Sequence, residues 1–188
     1  EAAEESGLLF LQRGTQEVAS HSAATCTRLR AGESLGALLA EHGALFDTDA
    51  LAPWSRWITP RRPAVMNKRF DTRFFLAAVP PAQEAQVDDF EMTEARWLTP
   101  RAALTQYRAH EIDMVPPQLI SLLHLMQYAG VAQAMADARA RGPALVAPQP
   151  LETGESRILC YPGDPDHPEP ARALPEPVPT RLVWRDKR

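Results

Sequence analysis

Three carboxylates open the chain, in the order Glu1-Ala2-Ala3-Glu4-Glu5-Ser6-Gly7-Leu8. Successive helical residues turn by about 100°, so on a helix Glu1, Glu4 and Glu5 fall within an arc of roughly 100°. Like charges at that spacing repel. A hard cation such as Mg²⁺, which prefers oxygen ligands, would relieve the repulsion. The same text also reads as an acidic, solvated first turn, and spacing alone does not choose between the two. Gly7 stands where a helix can end in the left-handed conformation. The apolar run Leu8-Leu9-Phe10-Leu11 is then expected to enter a sheet.

Other side chains could contribute. Arg61, Arg62, Lys68, Arg69 and Arg73 form the densest basic cluster. Guanidinium groups contact phosphate bidentately, so Arg69 and Arg73 are candidates to anchor an anionic substrate. Solvated charges on a loop and a strand edge account for the same cluster. Glu84, Asp88, Asp89, Glu91 and Glu94 crowd a loop that could lend a further carboxylate or could simply be surface. Trp54, Trp57 and Phe70 could stack on an adenine or pack a core. The histidines His21, His42, His110, His124 and His167 show no ligand spacing, and His124, amid leucines, is expected in the core. Cys26 and Cys160 form neither a C-x-x-C pair nor a zinc spacing, and are expected as reduced core thiols. No G-x-S-x-G nucleophile motif is present.

Positioning these groups falls to one domain's worth of chain, 188 residues with 45% apolar and 23% charged content. A net charge of −4 gives no basis for general nucleic-acid affinity, and no apolar run is long enough to span a membrane. The pattern from Glu17 to Arg30 is weakly helical. Ser34 to His42 reads as a capped helix with Gly43 after it. Trp54 to Thr59 reads as a strand stopped by Pro60. Arg69 to Val79, RFDTRFFLAAV, shifts from alternating to continuously apolar, which predicts a central strand lying beside the Glu1 helix. Ala95 to Leu98 predicts a short strand, and Thr99-Pro100 the start of a helix. Pro116-Pro117 predicts a helix from about Gln118 to Tyr128 with Leu119, Leu122, Leu123 and Met126 buried. Val131 to Arg141 continues as helix. Arg157 to Tyr161 and Arg181 to Trp184 are strand candidates in the proline-rich remainder. This order suits an α+β fold or an α/β/α sandwich with a mixed sheet.

The opening octet resembles the end of the Nudix box, G-x5-E-x7-R-E-U-x-E-E-x-G-U, where U is bulky and apolar. Glu1, Glu4, Glu5, Gly7 and Leu8 match, while Ala2 is smaller than the usual residue. The strings LAPWSRWITP, KRFDTRFFLAAVP, EARWLTP, VPPQ and YPGD resemble the acyl-coenzyme A diphosphatase branch of the family, over roughly residues 1 to 165. The chain starts inside the box, so a fragment lacking N-terminal elements is expected, and on its own it is expected to bind Mg²⁺ poorly and hydrolyse nothing.

The resemblance implies a Nudix-like α/β/α sandwich, N-terminally truncated, with a hydrolase domain over 1–142 and a C-terminal extension over 143–188 packing on it. It implies cleavage of the diphosphate of coenzyme A or acyl-coenzyme A to 3′,5′-ADP and (acyl-)phosphopantetheine, with Mg²⁺ or Mn²⁺ held by Glu1, Glu4 and Glu5. Those three are also the catalytic candidates, expected to face one concave site. ADP-ribose, NADH or a dinucleotide is the alternative substrate, and a non-catalytic scaffold or interaction domain the alternative role. No nucleic-acid or membrane partner is expected, and a homodimer is a possible state. The ending Asp186-Lys187-Arg188 is not a peroxisomal S-K-L address, which with the reduced thiols favours the cytoplasm.

Overall fold

The computed structural model describes residues 2–12, 22–60, 69–80, 83–85, 94–153 and 156–184. Glu1, His21, the basic run from Arg61 to Lys68, and Asp88, Asp89 and Glu91 therefore lie outside the described residues. The chain divides into two compact units, Glu1–Leu51 with Ala77–Trp97, and Ala52–Leu76 with Leu98–Arg188.

The first unit holds α1 (Ala2–Ser6), α2 (Ser22–Arg30) and α3 (Leu35–Glu41). Ser34 caps α3 by accepting from the Ala37 N–H at 3.2 Å, as its sequence predicts. The run after Gly7 is not a regular strand. It makes one antiparallel bridge, Leu11 to Phe46, supported by Asp47 N–H to Phe10 O and Gln12 N–H to Leu45 O. Leu9, Leu39 and Ala44 form the buried cluster of this unit, with Ala3, Leu11, Leu35 and Phe46 against it. The run is apolar because it fills this cluster, and burial does not require a sheet. The expected strand Ala95 to Leu98 is likewise irregular, and Trp97 is largely exposed.

In the second unit, β1 (Leu51–Ile58) lies between β2 (Asp71–Ala77) and β3 (Ala144–Val146). β1 and β3 are parallel, with Ser55 opposite Ala144 and Trp57 opposite Val146. Thr59 bonds to Phe70 and Arg56 pairs with Asp71, so β1 and β2 run antiparallel and the sheet is mixed. Here the expectation of a central Arg69–Val79 strand is corrected. Among the described strands β2 has only β1 as a neighbour, and Phe75 is half exposed. Local apolar character signals burial, but strand order depends on pairing with β3, some seventy residues later in the chain. The central place belongs to β1.

Side chains alternate across a strand, so Ala52 and Trp54 face one side of β1 while Ser55 and Trp57 face the other. Trp57 packs with Ile120, Ala144, Val146, Tyr161, Leu174 and Val178. Trp54 and Ala52 pack with Met135 and Ala138. The helices α4 (Pro100–Arg108), α5 (Pro116–Leu125) and α6 (Val131–Arg141) start where the sequence predicts. Thr99 caps α4 through the Ala102 N–H, and the Gln118 side chain accepts from the Val115 N–H at the start of α5. The buried stripe of α5 is Leu119, Ile120 and His124, not the expected Leu122, Leu123 and Met126, which are only partly buried. The helix presents a wider, rotated face because β1 offers it a tryptophan. A second sheet, β4 (Gln149–Thr153), β5 (Ser156–Cys160) and β6 (Arg181–Trp184), is antiparallel in that order.

His124 is 1% exposed, as its leucine-rich surroundings predict, and its ring lies 4.2 Å from that of Trp54. Tyr128 donates to Asp137 at 2.6 Å and shares a hydrogen bond with His124 Nε2 at 3.1 Å. Arg141 also donates to Asp137. Burial first, and the Arg141 charge second, push the His124 pKa from 6.5 down to about 4, against a smaller opposing pull from Asp137. Below pH 6.5 the unfolded chain takes up this proton before the folded one, so the fold loses stability as pH falls from about 6.5 toward 4. The loss expected from this residue is about 3 kcal/mol. Urea unfolding over a pH series should show it, and His124→Phe should flatten the slope in that window.

Candidate functional site

The carboxylate helix α1 is five residues long. A helix of that length does not persist alone in water. Its shape comes from its contacts. The Cys26 thiol, on α2, donates to Ala3 O at 3.0 Å. Arg30, one helical turn further, reaches Glu4 O at 3.5 Å, which sets a cation at the carbonyl end of α1. Gly7 N–H closes the last turn on Ala3 O at 3.2 Å, with φ +70°, the left-handed conformation its sequence position predicts. Leu9, just beyond, is 1% exposed in the core of this unit.

Glu4 and Glu5 are adjacent on α1 and both partly buried. Glu1 lies outside the described residues. Carboxylate oxygens on a helix fixed at its end are a donor set that suits Mg²⁺ or Mn²⁺. The residues present therefore fit such a cation by chemistry. Of the loop acids, Glu84 and Glu94 are exposed, and Glu94 pairs with Arg96.

The basic candidates belong to the second unit. Arg69 is exposed and its Nε and Nη2 both donate to Thr59 O at 3.3 Å. Arg73 is exposed on β2. Trp54 and Trp57 are buried, so neither can stack on an adenine, whereas Phe70 is half exposed. Cys26 and Cys160 are buried free thiols. Burial raises the pKa of both, in Cys160 to about 11.

Sequence reasoning passed over one acidic cluster. Cys160, Asp164 and Asp166 offer ligand atoms within 4.8 Å of one another. This group is already neutralised. Arg181 forks onto Asp164 at 2.7 and 2.6 Å and reaches Asp166 at 2.8 Å. The Arg181 guanidinium first, then the backbone N–H of Asp166 and the Cys160 thiol, hold the Asp164 carboxyl at about 2 against the opposing effect of burial. Gly163 in the same turn is set by close packing: a Cβ there would lie 2.8 Å from the Arg172 backbone. The turn Tyr161-Pro162-Gly163-Asp164 is thus built around an internal cation, and the signal for it in the sequence was an arginine in the strand candidate Arg181 to Trp184.

Residues 1–125 match the NUDT19 Nudix domain. That span holds α1 through α5 and is two thirds of the chain. The chain belongs to this Nudix family. Its similarity to named relatives is partial. It is 37% identical to the acyl-coenzyme A diphosphatase NUDT19 of Xenopus laevis over 44% of this chain and 22% of that protein. It is 29% identical to putative nudix hydrolase 7 of Caenorhabditis elegans over 86% of this chain and 53% of the relative. The Gallus gallus acyl-coenzyme A diphosphatase NUDT19 is 29% identical over 68% of this chain and 35% of that protein. The aligned part is thus between about a fifth and a half of each of these relatives. The crystal structure of a NUDIX hydrolase from Alicyclobacillus acidocaldarius superposes with a TM-score of 0.57 at 26% identity, covering 72% of this chain and 61% of that one. The α+β, Nudix-like fold with a mixed sheet is therefore shown, as the box resemblance implied.

Two substitutions test this geometry. Gly7→Ala meets Cys26 Sγ at an ordinary 3.7 Å, so its cost is backbone strain, expected at about 1 kcal/mol and read as a lowered melting temperature. Asp164→Asn is expected to cost about 2 kcal/mol, because Arg181 loses a charged, bidentate partner. A melting curve matching wild type would contradict the second.

Proposed function

We propose that the protein is a metal-dependent Nudix hydrolase that cleaves the diphosphate of coenzyme A or acyl-coenzyme A to 3′,5′-ADP and (acyl-)phosphopantetheine. The observation that carries this reading is the match to the NUDT19 Nudix domain across residues 1–125, which includes the Glu4-Glu5-Ser6-Gly7-Leu8 end of the box. Two of the relatives aligned above are named acyl-coenzyme A diphosphatases. In this reading residues 1–142 form the hydrolase domain and 143–188 an extension that packs on it.

The reaction is attack of water on one phosphorus. A new P–O bond forms, the bridging P–O bond breaks, and the water proton passes to a base. Glu1, Glu4 and Glu5 would hold Mg²⁺ or Mn²⁺ in one concave site, and one of them would accept that proton. The bound cation would supply charge neutralisation for the diphosphate oxygens and acidify an attacking water. The protein supplies the rigid placement of the carboxylates. Cys26 and Arg30 grip the carbonyl end of α1, and Gly7 ends it, so the two described carboxylates leave from a fixed turn. Arg69 and Arg73 are the proposed substrate contacts, by their charge and exposure. We place the activity in the cytoplasm. The buried free thiols suit a reducing compartment, and no described helix is long and apolar enough to cross a membrane.

The test is release of 3′,5′-ADP from coenzyme A at millimolar Mg²⁺ by the complete natural chain, with ADP-ribose and NADH run alongside. Glu5→Gln keeps the size and removes the charge. It is expected to fold and to lower kcat by about 10²-fold or more. Full activity in that variant would refute the role given to Glu5, and preference for ADP-ribose or NADH would refute the substrate.

A further inference from the structure

Four residues beyond Glu5, the backbone of Leu9 is held by a side chain rather than by a strand. Leu9 N–H donates to Gln83 Oε1 at 2.8 Å, and Gln83 Nε2 donates to Leu9 O at 2.6 Å. Along an extended chain, the N–H and C=O of one residue point to one side and those of the next to the other. Phe10 O and Gln12 N–H face the 45–47 segment, which accepts and donates in return. Leu9 faces the opposite way, where no strand pairs with it among the described residues. The Gln83 amide has the donor and acceptor of a peptide group and takes a strand's place there.

Gln83 is itself set in position. It follows Pro80-Pro81, and its N–H closes a turn on Pro80 O at 3.0 Å. Glu84 comes next, at the head of the acidic loop. One side chain thus ties the exit of the carboxylate helix to the start of the acid-bearing loop.

We propose that Gln83 is a positioning residue for the Glu4 and Glu5 carboxylates: its two bonds to Leu9 fix where α1 ends relative to the described segment that carries Gln83 and Glu84. The inference rests on the reading of that site as a metal-dependent diphosphatase centre. Gln83 touches neither metal nor substrate in this role. It acts through the backbone, and Leu9, buried in the core, transmits the constraint to α1 through Gly7.

The experiment uses the complete natural chain with Gln83→Met, which keeps length and volume and removes both bonds. Gln83→Glu is the second variant. It keeps the acceptor for Leu9 N–H but sets an anionic oxygen against Leu9 O. Activity on coenzyme A is measured with Mg²⁺, Mn²⁺ affinity by electron paramagnetic resonance, and folded fraction by thermal melting. For both variants kcat per folded molecule is expected to fall roughly tenfold or more, with KM for coenzyme A within about twofold. The Mn²⁺ dissociation constant is expected to rise roughly tenfold, as for other residues that orient metal ligands. A residue that only stabilises the fold would lower the melting temperature and leave both quantities unchanged. Wild-type turnover with unaltered kcat and Mn²⁺ affinity in Gln83→Met would overturn the positioning role and leave the hydrolase reading standing. Mn²⁺ binding without turnover of coenzyme A in wild type would overturn the substrate, and the Mn²⁺ affinities would then decide the role of Gln83. Wild type that binds no Mn²⁺ would overturn both.

Discussion

The second unit depends on β1 being buried on both faces. A strand with that burden must carry large side chains in both directions and must have its backbone paired on both edges. Trp54 and Trp57, an odd number of residues apart, meet the first requirement. β2 and β3 meet the second. Two buried clusters follow, one around each tryptophan, and the helices are placed by what those clusters still lack. Ser55 accepts from the Trp57 indole N–H at 3.1 Å, so the one polar group of the second ring is satisfied inside the core. The C-terminal residues are not peripheral to this arrangement, since Tyr161, Leu174 and Val178 complete the cluster on Trp57.

The polar side of Trp54 is more instructive. Arg141 lies over its ring at 4.5 Å, His124 lies beside it, and Asp137 joins Tyr128 to Arg141. Each member supports another. Asp137 keeps its carboxyl below the ordinary range by accepting from Tyr128 and Arg141. The unit could have used leucines here at similar packing density. Hydrogen bonds are directional where apolar contacts are not, and this set joins the end of α5 to the middle and the C-terminal end of α6.

Much of this was legible in the sequence where the signal is local. Caps at Ser34 and Thr99, the paired prolines that open α5, and the strands at Arg157 and Arg181 depend on neighbouring residues, and all were read correctly. Failures occurred where the deciding partner is remote. Strand β2 looked central because its own residues are apolar, but its place was set by where β3 pairs. The run Leu8 to Leu11 looked like a strand because a buried irregular segment has the same composition. Strand β3 was too short to register, and β4 was hidden by the proline inside it. At the candidate site the same division holds. The box end and its terminal glycine could be read directly, while Gln83 gave no signal, because a glutamine in an acidic loop is unremarkable until Leu9 is found opposite it.

Besides the α1 carboxylates, one acidic group among the described residues could be taken for a cation site, and charge compensation argues against it. Asp164 and Asp166 sit with Arg181, whose fork already fills the space and supplies the positive charge. A divalent ion entering there would have to displace a guanidinium or sit beside it, and either costs more than it returns. The turn also lies beyond residue 125, outside the match to the family. The carboxylates of α1 lie inside that match, on a helix too short to stand without its neighbours. Cys26, Arg30 and Gly7 hold in place the turn that carries Glu4 and Glu5. The family match and these contacts on α1, rather than the acidic character of either group, are what single the helix out as the proposed site.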